Sequence, residues 1–161
     1  MSRDLQVFEA RKSYVTYNTN RQEFVTMRVG EQRFGLSVAS VQDVLRKQKI
    51  AKIPLAPQEV AGLLNLRGRV VTAIDVRTRL GLPPMPEPDK VMNVVVEYKG
   101  ELFSLMVDAV GEVLSLPMNE FEKSPTNLNP TWKNVALGVF KLQGELLVIL
   151  DVSHLLQLKL T

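Results

Sequence analysis

From residue 22 onward, apolar and polar side chains alternate. Phe24, Thr26 and Arg28 fall on one face of an extended chain, and Val25, Met27 and Val29 on the other. Gly30-Glu31-Gln32 then makes a turn, and Phe34, Leu36 and Val38 continue on a single face. Successive side chains of a strand point to opposite sides, so this period of two around a Gly-containing loop predicts a β-hairpin. Val41, Val44 and Leu45 recur at spacings of three and four, which predicts one or two turns of helix around Asp43. Residues 49–53 read as a short strand stopped by Pro54, and 61–66 and 69–74 as two strands joined at Arg67-Gly68. Asp75 stands before Val76-Arg77-Thr78-Arg79-Leu80, a helical turn ended by Gly81, where its carboxylate can accept backbone N–H groups as a cap.

Residues 82–89 hold four prolines, which lack an N–H donor, so they continue neither a helix nor a central strand and read as a linker. The pattern then restarts. Val94-Val95-Val96-Glu97-Tyr98, a Lys99-Gly100 turn and alternating Phe103, Leu105 and Val107 make a second hairpin, and Val110, Val113 and Leu114 repeat the spacing of Val41, Val44 and Leu45. A polar stretch over 117–133 interrupts, strands resume over 137–151, and residues 152–160 read as a terminal amphipathic helix. Gly62, Leu66, Gly68, Ile74, Asp75, Val76 and Leu80 match Gly138, Leu142, Gly144, Leu150, Asp151, Val152 and Leu156, every pair 76 positions apart; Val41, Asp43 and Val44 match Val110, Glu112 and Val113 at 69. An internal duplication accounts for both offsets. Each half is a small strand-rich unit, and such units close into barrels to remove their edges. The expected fold is mostly β: two five-stranded barrels packed together with a few short helices. The first spans about 22–81 and the second about 91–151, after a flexible arm over residues 1–20.

Composition narrows the function. There is no cysteine to serve as nucleophile or zinc ligand and a single histidine, His154, so a structural zinc site is excluded on count. Leu66-Arg67-Gly68-Arg69 has one glycine and no following Lys-Ser or Lys-Thr, unlike a phosphate loop. Carboxylates such as Asp43 and Asp75 sit where caps or ion pairs explain them. Neither enzymatic activity nor a cofactor or metal is expected. Of the 20 Lys and Arg residues against 17 acidic ones, only Arg46, Lys47, Lys49 and Lys52 cluster. With aromatics at 6%, that cluster reads as a solvated rim rather than a nucleic-acid surface, so a small-barrel nucleic-acid binder is a distant alternative. No stretch approaches the roughly 20 apolar residues of a membrane span and no signal peptide is evident, which leads to the expectation of a cytoplasmic protein without direct membrane insertion.

One segment points further. Val60-Ala61-Gly62-Leu63-Leu64-Asn65-Leu66-Arg67-Gly68-Arg69-Val70-Val71-Thr72-Ala73-Ile74-Asp75-Val76-Arg77 resembles the signature of the CheW family, the coupling proteins of bacterial chemotaxis. Val41-Gln42-Asp43-Val44 resembles the acidic element that precedes it, and Val107-Asp108 with Val110-Gly111-Glu112-Val113-Leu114 its counterpart in the second half. The resemblance covers about residues 22–159. It implies two SH3-like barrels around a shared core, and a non-enzymatic adaptor between the P5 domain of a CheA-type histidine kinase and the cytoplasmic tip of methyl-accepting receptors. A related adaptor of a twitching, gliding or developmental kinase pathway is the alternative.

Carried onto this sequence, the resemblance makes Asp43 and Arg67 an acidic–Arg pair at the receptor-facing groove, with Gly62 and Asn65 also expected among the receptor-binding residues. Val38, Val41, Val44, Leu64, Val110 and Val113 are the candidate apolar lining, suited to the apolar face of a receptor helix. In the duplicate the acidic position is kept as Glu112, but Gln143 replaces Arg67, so only the first half can form the pair. Kinase contacts are expected at Ile53, Pro54 and Leu55 and around Glu122 and Leu128. There the family's common pattern has a Pro and a Phe where Thr126-Asn127-Leu128 stand, with Leu128 in the place of the aromatic anchor. Trp132 reads as a hydrophobic plug beneath this loop.

Overall fold

The alternating stretches become ten strands. In the computed structural model, which describes residues 20–123 and 128–157, β1 (Arg21–Val29) and β2 (Gln32–Ser37) form the first hairpin, followed by β3 (Val41–Leu45). β4 (Val60–Leu66) and β5 (Arg69–Asp75) form the next, and α1 (Val76–Arg79) ends the first half. The second half repeats the order: β6 (Met92–Tyr98) and β7 (Glu101–Val107), β8 (Ala109–Pro117), the one-turn helix α2 (Pro130–Lys133), β9 (Ala136–Leu142), β10 (Glu145–Leu150) and α3 (Val152–Leu155). The cap expected of Asp75 is present: its Oδ1 accepts the Thr78 N–H at 3.2 Å, and Asp151 does the same for the Ser153 and His154 N–H groups. The expected arm over 1–20 and the tail of the expected 152–160 helix fall largely outside the described residues.

Two readings of the sequence are corrected. Residues 41–45 form a strand, not a helix, and so do those around Val110 and Val113. Pairing of β3 with β6 shifts between Val41 and Asp43, and that of β8 with β1 between Val110 and Val113. The residues added by these bulges stretch a period of two into apparent spacings of three and four. Of residues 49–53, Ala51 alone enters a ladder, in a bridge to Leu63.

The barrels also do not follow the halves of the chain. The two sheets run β8-β1-β2-β10-β9 and β3-β6-β7-β5-β4. One barrel is therefore the contiguous middle of the chain, 41–107, and the other is built from both ends, 21–37 with 109–150. We call them the middle and the terminal barrel. Connection length dictates this. Asp108 alone separates β7 from β8, whereas a tight hairpin needs two loop residues, so β8 crosses to the other sheet. The three-residue 3-10 turn Val38–Ser40 carries β3 across in the same way. Each half thus gives its first hairpin to the other half's barrel, through the parallel pairs β5–β7 and β10–β2.

Burial follows from this exchange. Val94 and Val96 face a large cluster shared by both sheets while Val95 faces the interior of the middle barrel; Val148 and Leu150 face the shared cluster while Leu147 and Ile149 line the terminal barrel. Central strands covered on both faces read as continuous apolar runs. Phe34 and Trp132 meet edge to face at 5.3 Å within the shared core, which confirms Trp132 as a plug.

Candidate functional site

In the middle barrel β3 and β4 are the two edges of one sheet, and the chain running on from β3 closes them. Ala51 donates its N–H to the Leu63 carbonyl, and the Leu63 N–H returns the bond to Ala51, both at 2.8 Å. Gly62 makes this closure possible. Its φ is +150°, and a Cβ there would stand 2.2 Å from the Ala51 carbonyl oxygen. Gly138 plays the same part beside the Glu122–Val139 bridge of the terminal barrel.

Closure brings Asp43 on β3 to Arg67 at the tip of the β4–β5 hairpin. Arg67 and Gly68 both have positive φ, as a two-residue hairpin turn demands, and Asn65 Oδ1 accepts the Gly68 N–H at 2.9 Å. So held, Arg67 extends one guanidinium nitrogen to Asp43 Oδ2 at 3.4 Å while its side chain stays 81% exposed. An exposed pair of this kind contributes about 0–1 kcal/mol to stability. Among the described residues Asp43 is its one ion-pair partner, which leaves most of the guanidinium fork open to a carboxylate or carbonyl on another molecule.

Val38, Val44 and, on the terminal barrel, Val113 are exposed apolar residues, and Val70 beside the Arg67 turn is 67% exposed. Val41 and Val110 pack against the shared core and are only partly accessible. Leu64 and Leu128 do not belong to any outer surface. Leu64 points into the middle barrel, and Leu128 is buried in the shared core, where it fills space rather than presenting an anchor. Of the duplicate, Glu112 pairs with Arg33 at 3.1 Å, and Arg33 also reaches Glu145 at 3.1 Å; Gln143 has no part in this network.

A second surface lies at residues 53–56. Ile53-Pro54-Leu55-Ala56 is a turn closed by the Ala56 N–H to the Ile53 carbonyl, with Pro54 at its second position and Leu55 at its third. Leu55 has φ +63° and is fully exposed. A type II turn favours glycine there, and a leucine in left-handed conformation costs about 1–2 kcal/mol. Neither conformational preference nor burial explains Leu55. Glu122, which bridges to Val139 in the terminal barrel as Ala51 bridges to Leu63, is half-exposed and pairs with Lys141 at 3.3 Å.

Sequence reasoning passed over one feature. Arg77 on α1 and Asp108 at the β7–β8 crossing form a two-pronged ion pair, at 2.8 and 2.6 Å, and Asp108 also accepts the Gly30 N–H at 2.8 Å. Burial pushes the Asp108 carboxyl up, but the bonds from Arg77 and Gly30 outweigh it and hold its pKa below the usual carboxylate range. The Arg77 side chain sits in a quoted motif and Asp108 in another, yet nothing in the spacing links positions so far apart.

Residues 23–159 match the family model described as the CheW-like domain. The chain belongs to the CheW-like family. It is similar to the chemotaxis protein CheW of Rhizobium meliloti, at 26% identity over 131 residues, covering 81% of this chain and 84% of that one. The Bacillus subtilis chemotaxis protein CheW is 25% identical over 135 residues, covering 84% and 86%. The crystal structure of the scaffolding protein TtCheW from Thermoanaerobacter tengcongensis superposes with a TM-score of 0.79 at 26% identity, over 87% of this chain and 95% of the other. Arg67, Asp43, the 53–56 turn and the Arg77–Asp108 clamp all lie inside the matched segment.

Proposed function

We propose that this protein is a non-enzymatic adaptor that joins the cytoplasmic tip of methyl-accepting chemoreceptors to the P5 domain of a CheA-type histidine kinase. Membership of the family supports the adaptor role, and the Asp43–Arg67 arrangement carries the receptor contact. A largely exposed guanidinium fixed by a turn, together with the exposed apolar Val38, Val44 and Val113, suits an amphipathic receptor helix that offers an apolar stripe and an acidic or carbonyl group. The kinase contact is assigned to Ile53, Pro54 and Leu55, with Glu122 on the other barrel. Such a protein works in the cytoplasm and reaches membrane arrays through its partners. No helix of the described residues is long and apolar enough to cross a membrane.

The test is titration of the purified chain with a P5 domain and, separately, with a receptor signalling tip. Arg67→Ala should weaken the receptor complex about tenfold or more, roughly 1.4 kcal/mol, and leave P5 binding unchanged. Leu55→Asp should do the reverse. Failure of the wild-type chain to bind either partner well above micromolar concentration would refute the adaptor reading.

A further inference from the structure

Two cavities of similar size lie beside the capping aspartates of the two barrels. One, of about 470 Å³, opens beside Asp75 of the middle barrel, and the other, of about 440 Å³, beside Asp151 of the terminal barrel. Both have mainly apolar walls, but their charges differ. Among the described residues, Lys123 and Asp151 are the charged lining of the second. Around the first, Lys47 and Lys49 join Arg77, Asp75 and Asp108, so cations outnumber carboxylates.

The two carboxylates of the first cavity are already engaged. Asp108 holds Arg77 and the Gly30 N–H, and Asp75 Oδ1 accepts the Thr78 N–H. The lysines are freer. Lys47 bonds Asp89 at 2.7 Å, a carboxylate 93% exposed, and Lys49 makes no ion pair among the described residues. The 82–89 linker forms one wall. Its start is tied to Arg77, which donates from Nη1 to the Pro83 carbonyl at 2.8 Å and accepts the Leu82 N–H at 2.7 Å; its end is tied by Lys47 to Asp89. Pro83, Pro84, Pro86 and Pro88 fix φ along the span, which stiffens it. Held at both ends, the linker adds Met85 to a lining that includes Ile50 and Met106, and space for a guest remains between them.

We propose that the middle-barrel cavity binds a small amphipathic anion, a carboxylate with a medium-length apolar body. The body rests against Ile50, Met85 and Met106, and the carboxylate pairs with Lys49 and Lys47. The volume lies within the roughly 300–1,000 Å³ of small-molecule pockets, which combine apolar walls with a few polar groups that fix orientation. An apolar body entering the cavity gains in proportion to the area it removes from water. An ammonium has three donors, so Lys47 takes the guest carboxylate without releasing Asp89. The methionine side chains are unbranched and adapt to the outline of the guest. The inference rests on the cavity and its charges, not on the adaptor reading.

Methionine methyl groups report on both cavities. In the full chain with isotope-labelled methionine methyls, octanoate titrated to millimolar concentration should shift the Met85 and Met106 signals saturably. Met118, which lines the other cavity, should stay in place. Lys49 is exposed, so Lys49→Gln leaves the fold intact. It should weaken octanoate binding about fivefold, the upper worth of an exposed ion pair, and leave the binding of uncharged 1-octanol unaltered. Absence of shifts at Met85 and Met106, equal shifts at Met118, or an octanoate affinity unchanged by Lys49→Gln would each overturn the proposal.

Discussion

Leu55 combines two unfavourable features, a left-handed backbone and full exposure of an apolar side chain. Glycine relieves the first at no steric cost but has more unfolded-state entropy to lose on folding, and the two effects oppose each other at about 1 kcal/mol each. Leu55→Gly is therefore expected to keep the stability of the wild type within about 1 kcal/mol by denaturant titration, while lowering affinity for the kinase P5 domain at least tenfold. An equal loss of both would make Leu55 a structural residue. Arg67 is the opposite case. Its turn was legible in Arg67-Gly68 between two apolar strands, and its partner Asp43 through the family resemblance. The conformation of Leu55 was not legible, since nothing in Ile-Pro-Leu-Ala marks a positive φ. Leu128 was misread for a related reason: one sequence does not distinguish an apolar residue that fills the core from one that greets a partner.

Among the elements, the hairpins were legible from alternation and from Gly-containing turns, and the capped helical turns from Asp75 and Asp151. The bulged strands β3 and β8 were not, because an extra residue in a ladder imitates helical spacing. Barrel closure is the finer consequence of these elements. Gly62 is the point where the returning chain passes within van der Waals range of β4, and its duplicate Gly138 has the same environment. Gly62→Ala should cost about 2–3 kcal/mol of unfolding free energy, since it adds both a backbone clash and an unfavourable φ. Gly68, by contrast, has open space around a would-be Cβ. Substitution there should cost only the turn's preference for positive φ, about 1 kcal/mol. Comparable losses at both positions in parallel melts would remove the special role given to the closure.

On the scale of the whole molecule, the exchange of hairpins builds each barrel from both halves of the repeat around a shared core, and the sequence could not reveal it. The halves of the repeat are legible, but which hairpin pairs with which barrel is decided by connections as short as Asp108. That residue is also where Arg77 ties α1 to the crossing point. Its folded pKa is depressed, so in acid the unfolded chain takes up the proton first. The stability it confers is complete above the ordinary carboxylate value, near 4, and is lost as pH falls through the lower folded value. Asp108→Asn should cost about 2–3 kcal/mol at neutral pH by removing a charge-assisted pair, and should flatten the fall in stability below pH 4. A variant that loses stability by the same amount at pH 7 and pH 3 would disconnect the clamp from the acid response.

As an adaptor of the kind proposed, one molecule of this chain holds receptor and kinase together. Co-sedimentation of a CheA-type kinase with receptor-containing membranes, with and without the full chain, tests it most directly. The kinase should pellet only when the chain is present, and Arg67→Ala and Leu55→Asp should each leave it in the supernatant. A kinase that stays in the supernatant with the wild-type chain, or pellets equally without it, would rule out the proposed adaptor role.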